Sequence, residues 1–142
     1  MSKVNVIVKA KTMALGQGIA EALTSSGAIN ILYVKEGDVD KSDWESCQEN
    51  DAVVVFANVE KIYEVDTSIE EPWGTFRMNF SDFRKIEEAA EKCQHLTDKM
   101  KDKITSNIIK EAVMKDLDKT VKTISMLPRK GHLMTLAELL SM

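Results

Sequence analysis

Three short apolar runs near the start of the chain constrain it most: Val4 to Ala10, Ile29 to Lys35, and Asp51 to Asn58. Each is rich in β-branched residues and has the length of a strand. The intervening stretches carry apolar residues at helical steps. Leu15, Ile19, Ala22 and Leu23 make one such face, with Thr12 as its cap and Gly27 as its stop. Asp40 to Glu49 reads as a second, shorter helix. Strand, helix, strand, helix, strand at this spacing is the pattern of parallel βαβ units with right-handed crossovers. The unbroken run Val53 to Ala57 predicts a central strand covered on both faces.

After Asn58 the regularity loosens. Lys61 to Val65 and Thr75 to Phe80 read as further strands around an acidic loop containing Glu70, Glu71, Pro72 and Trp73. Ser81 is positioned to cap a helix whose apolar residues, Phe83, Ile86, Ala90, Cys93, Met100 and Ile104, follow three- and four-residue steps, with Thr97 in one place. That spacing predicts a narrow seam facing another helix. At Thr105-Ser106-Asn107 the register breaks, then resumes as Ile109, Val113, Leu117, Val121, Ile124 and Leu127, up to Pro128. Either an antiparallel hairpin around residues 105–107 or one long helix with a stutter fits, and the poor helix propensity of Ser, Thr and Asn favours the hairpin. Arg129, Lys130, Gly131 and His132 make a basic turn, and Thr135 is positioned to cap a last helix from Leu136 to Leu140. The expected fold is α/β: a small doubly wound, mainly parallel sheet over residues 1–80, followed by long amphipathic helices over residues 81–142. The arrangement of the first 60 or so residues resembles flavodoxin-like and Rossmann-like half-domains, an architecture shared by many functions and therefore silent about activity.

Mixed charge totalling −4 argues against nucleic acid as a partner, even through Arg129 and Lys130. Cys47 and Cys93 have no close-spaced partners, so neither a metal site nor a dithiol redox pair is expected. The start, Met-Ser-Lys, leads straight into an apolar strand with no signal region, and no run is long enough to span a membrane. The expectation is a cytoplasmic protein with no membrane association. Eight methionines suit adaptable contacts as well as core filling.

The candidate ligand-binding residues lie at the exits of the strands, where open α/β sheets bind their ligands. Lys11 and Thr12 follow the first strand, Glu36 the second and Asn58 the third. Together with the amides of the first helical turn they would suit a small anionic ligand such as a phosphate. Gly16-Gln17-Gly18 is a fragment of a dinucleotide fingerprint, but Glu21 stands at the third glycine position. The two glycines are therefore more simply read as packing positions. No catalytic set is recognised: there is no nucleophile elbow, phosphate loop or paired-histidine motif. His95 sits beside the helical seam and His132 in the basic turn. No cofactor and no metal are expected. Function is read as a non-catalytic accessory or regulatory module that associates with itself or with another protein. Its interface would run through Phe83, Ile86, Ala90, Cys93, Met100 and Ile104. The alternative is an enzyme binding a nucleotide or other phosphate-bearing cofactor at the sheet edge.

Overall fold

Alternation along the first strand decides which side chains meet which layer. In β1 (Val4–Ala10), Val4, Val6, Val8 and Ala10 enter one apolar cluster, while Ile7 enters a second on the other face. Such a strand needs cover on both sides, and the helices supply it. The computed structural model describes residues 3–62 and 74–127. The elements after β1 are α1 (Met13–Ser25), β2 (Ile29–Glu36), α2 (Lys41–Asn50), β3 (Ala52–Ala57), β4 (Thr75–Met78), α3 (Phe83–Glu91), α4 (Asp98–Met114) and α5 (Leu117–Ser125). The four strands form one sheet in the order β2-β1-β3-β4, and every pairing is parallel. The expected α/β architecture is therefore present, with its reversal of strand order between β1 and β3.

The first cluster lies beneath α1, α4 and α5. It joins Val6, Val8, Val53 and Val55 to Leu15, Ile19, Leu23, Phe83, Ile109, Val113 and Ile124. Sheet and C-terminal helices thus share one core. The second cluster is smaller and unites Ile7, Val54 and Phe56 with Val39 and Cys47, the last from α2. β3 is buried along its whole length, as a central strand covered on both faces must be. In β2 the pairing with β1 slips between Val6 and Ile7, so that Ile7 lies opposite Tyr33 and Leu32 is the extra residue of a bulge.

Three local readings are corrected. Asp51 is the left-handed C-cap of α2 rather than the first residue of β3, and Asn58 also adopts positive φ just beyond that strand. The helix after β4 begins behind Asp82, not Ser81, and stops at Glu91. Most consequential, the chain does not break at residues 105–107. It breaks at 92–97, where Thr97 accepts a hydrogen bond from the Met100 amide and opens α4. α4 then runs unbroken through Thr105, Ser106 and Asn107. The small residues there serve another purpose. They bring α4 against α1 at Gly18, where an added Cβ would sit 2.5 Å from the Ser106 carbonyl oxygen and 2.8 Å from Ile109 Cβ. Ser106 directs its hydroxyl to the Lys103 carbonyl, so its burial leaves no orphaned donor.

Of the expected strand Lys61–Val65, Ile62 makes an isolated parallel bridge with Val39, and residues 63–65 lie outside the described residues. So do the acidic segment with Glu70, Glu71 and Trp73, and the whole stretch from Pro128 onwards with His132 and the helix expected at 136–140.

Candidate functional site

At the carboxyl edge of the sheet the six expected ligand-binding residues divide by role. Thr12 caps α1, its hydroxyl accepting from the Leu15 amide at 3.3 Å. Lys11 is exposed and its amide donates to the Ala57 carbonyl, tying the exit of β1 to that of β3. Asn58 faces the start of the C-terminal helices: its side-chain amide donates to the Phe80 carbonyl and accepts from the Phe80 amide, both at 3.1 Å. That reciprocal pair clasps the end of β3 to the segment entering α3. Both glycines are buried in packing. A Cβ on Gly16 would lie 2.7 Å from a Val34 methyl, so Gly16 lets α1 lie close on the sheet, as Gly18 lets it lie close on α4.

Of the six, Thr12 and Glu36 share a cleft. It has a volume of about 180 Å³ and is completed by Met13, Ala14, Glu87, Asp102 and Thr105. A neighbouring cleft of about 340 Å³ lies between α3 and α4 and shares Glu87, Asp102 and Thr105, adding Ala90, Glu91, Asp98 and Lys101. The two therefore run together as one groove from the N-terminus of α1 to the start of α4. Its walls carry five carboxylates and one lysine. The N-terminal amides of α1 would favour an anion, but this wall already surrounds them with negative charge. A phosphate entering here would meet repulsion rather than a cradle.

On the opposite face of the sheet lies a polar cluster that the sequence reading missed. Lys9 and Asp43 form an ion pair at 3.1 Å with side chains 5% and 1% exposed. The second Asp43 oxygen accepts the Tyr33 hydroxyl at 2.6 Å. Asp43 also accepts the Asp40 amide, while Asp40 accepts the Asp43 amide, so the pair forms the capping box that starts α2. The signal was present in Asp40-x-x-Asp43 and in a lysine at an inward position of an apolar strand. Burial, and then the hydrogen bond to Asp43, raise the Tyr33 hydroxyl above its ordinary range. Burial followed by the Asp43 charge pushes the Cys47 thiol up to about 12. Asp40 moves the other way, to about 2, because Ser42 and the Asp43 amide hydrogen-bond its charged form. Tyr33 and Cys47 are thus held protonated, and Lys9 is occupied by its carboxylate. The cluster ties the start of α2 to β1 and β2.

The expected interface residues are also separated. Phe83 and Ala90 are buried inside the chain, Ile86 packs against the same core, and Cys93 is half-buried at the end of α3. Met100 and Ile104 stand on α4 at 54% and 37% exposure. His95 is exposed in the turn between these helices. Among the described residues no group of three or more His, Cys, Asp or Glu side chains is placed to hold a metal ion, and no helix is long and apolar enough to cross a membrane. Set against protein-family models, curated proteins and solved structures, the chain has no match in any of the three comparisons.

Proposed function

We propose that the protein is a non-catalytic assembly module whose α4 joins two copies of the chain. The observation that carries this reading is the outer face of α4. Met100, Ile104, Ile108 and Met114 are 54%, 37%, 40% and 44% exposed, whereas Thr105, Ser106, Ile109 and Val113 are buried on the opposite side. Met100, Ile104, Asn107, Glu111 and Met114 follow four- and three-residue steps, the spacing of a helix-pairing seam. On this reading the seam would lie wholly on α4, keeping Met100 and Ile104 of the interface expected from the sequence and leaving out Phe83, Ile86, Ala90 and Cys93.

The occupant suggested by this face is a second copy, because the seam is complementary to itself when reversed. A two-fold axis through Asn107 sets Met100 against the partner's Met114 and Lys103 against the partner's Glu111. A single Asn at such a position fixes register at some cost in stability. Four partly exposed apolar side chains fall short of the ~800 Å² per partner of a standard interface, so the association is weak and concentration-dependent. The cofactor-enzyme alternative has less support, since its glycines are occupied in packing and the nearby rim is acidic.

Sedimentation over a range of protein concentration tests the reading. The wild-type chain is expected to show a reversible monomer–dimer equilibrium, and Ile104→Glu to remain monomeric with an unchanged circular dichroism spectrum. A strict monomer at about millimolar concentration removes the second copy as the occupant. Dimers that persist in Ile104→Glu move the interface elsewhere.

A further inference from the structure

The groove between α3, α4 and the start of α1 is independent of the outer face of α4, and its chemistry is specific. None of its five carboxylates, Glu36, Glu87, Glu91, Asp98 and Asp102, makes an ion pair among the described residues, although Lys101 lines the same wall. Asp98 in the first turn of α4 is accounted for by that helix's own N-terminus. The others gather like charge around a concavity, which favours the entry of a cation. A second observation points the same way. Thr105 is 5% exposed and lines both parts of the groove, yet its hydroxyl has no hydrogen-bond partner among the described residues. A buried hydroxyl left unpaired is costly, so such a group marks a place where a ligand completes the structure.

A divalent metal is the wrong occupant. It needs several oxygens converging on one point at about 2.0–2.6 Å, and no such group exists among the described residues. The carboxylates are instead strung along two joined clefts of about 340 and 180 Å³. Charge spread in this way suits a flexible molecule with its positive charges set apart. We infer that the groove binds a linear aliphatic polyamine. Its ammonium groups would meet Glu36, Glu87, Glu91 and Asp102 along the wall, and an N–H would donate to the Thr105 hydroxyl.

Calorimetric titration with the triamine spermidine, at low and at physiological salt, tests this. Saturable one-to-one binding is expected, weakening with salt as exposed charge pairs do. The double variant Glu87→Gln/Asp102→Asn should weaken it at least tenfold. Thr105→Val should weaken it severalfold while leaving the fold as stable as wild type or more so, since it removes an unpaired hydroxyl. Absence of saturable binding at millimolar spermidine overturns the inference. So does binding that the double variant leaves unchanged, or that magnesium at equal charge reproduces. The Ile104→Glu variant should bind spermidine like wild type, so failure of the groove and failure of α4 pairing are read separately.

Discussion

Replacing Gly18 by alanine should destabilise the protein, although alanine is the better helix former. The new Cβ would stand 2.5 Å from the Ser106 carbonyl oxygen and 2.8 Å from Ile109 Cβ. Relaxed contacts of these kinds need roughly 3.3 Å or more. Ser106 O is backbone, so no rotamer change relieves the clash. α1 and α4 must instead move apart by on the order of 1 Å, which loosens Ile109, a fully buried side chain. Overpacking of this kind costs about 1–3 kcal/mol, and the gain in helix propensity returns about 1 kcal/mol. The rigid obstacle places Gly18→Ala near the upper end, at about 2 kcal/mol net loss. At Gly16 the obstacle is a methyl of the half-buried Val34 at 2.7 Å, which can yield, so Gly16→Ala should cost no more than about 1 kcal/mol. Urea unfolding of the two variants, compared at equal m-value, measures the difference. If Gly18→Ala proves as stable as wild type, or less damaging than Gly16→Ala, the close approach of α1 and α4 is refuted.

The buried ion pair should respond asymmetrically to mutation. Asp43→Ala strands Lys9, the Tyr33 hydroxyl and the Asp40 amide together, and should cost about 3–5 kcal/mol in urea unfolding. Lys9→Met leaves Asp43 its other two hydrogen bonds and should cost clearly less. The depressed value of Asp40 means that its folded-state pKa lies below its unfolded one. Its contribution to stability is therefore complete above about pH 4 and is lost as the pH falls towards 2. Asp40→Asn should flatten the acid limb of the unfolding-midpoint profile across that window and leave the neutral region nearly unchanged. With its thiol pushed to about 12 by burial, Cys47 should resist iodoacetamide at pH 8 in the folded protein. Mass spectrometry is expected to find Cys93 as the native adduct and both cysteines modified in urea. Rapid native labelling of Cys47 would show that α2 does not cover it.

Legibility in the sequence followed the strength of the local signal. The parallel sheet was readable because Val4–Ala10 is rich in valine and isoleucine and Ala52–Ala57 is an unbroken apolar run, with helical spacing between them. The C-terminal helices were misplaced because Thr105 and Ser106 carry two meanings. As helix formers they are poor, but as small residues they let α4 approach Gly18. Only the three-dimensional neighbour decides which meaning applies. Thr97-Asp98, a sound helix start, was hidden because Thr97 also completed an apparent heptad. Of the residues named for the sheet edge, Lys11, Thr12 and Asn58 lie in loops beyond the strands and Glu36 ends β2. Asn58, however, is engaged by Phe80, twenty-two positions away, and the acidic wall from Glu87 and Asp102 arrives from α3 and α4. Contacts of such separation leave no periodic trace. Asp43 was partly legible through the capping-box spacing Asp40-x-x-Asp43, but its buried pairing with Lys9 depends on how β1 meets α2.

Disulfide trapping at Asn107 examines the pairing of two chains across α4 most directly. With Cys93→Ser removing the more accessible thiol and Cys47 left buried, Asn107→Cys puts one cysteine where the proposed two-fold axis would bring the two copies together, and a disulfide forms there only if their Cα atoms come within roughly 4.4–6.8 Å. Mild oxidation should yield a covalent dimer quickly at this position. A control cysteine at the exposed Glu45 of α2 should yield little. Equal and slow cross-linking at both sites, or none at 107, would mean that the outer face of α4 meets no second copy.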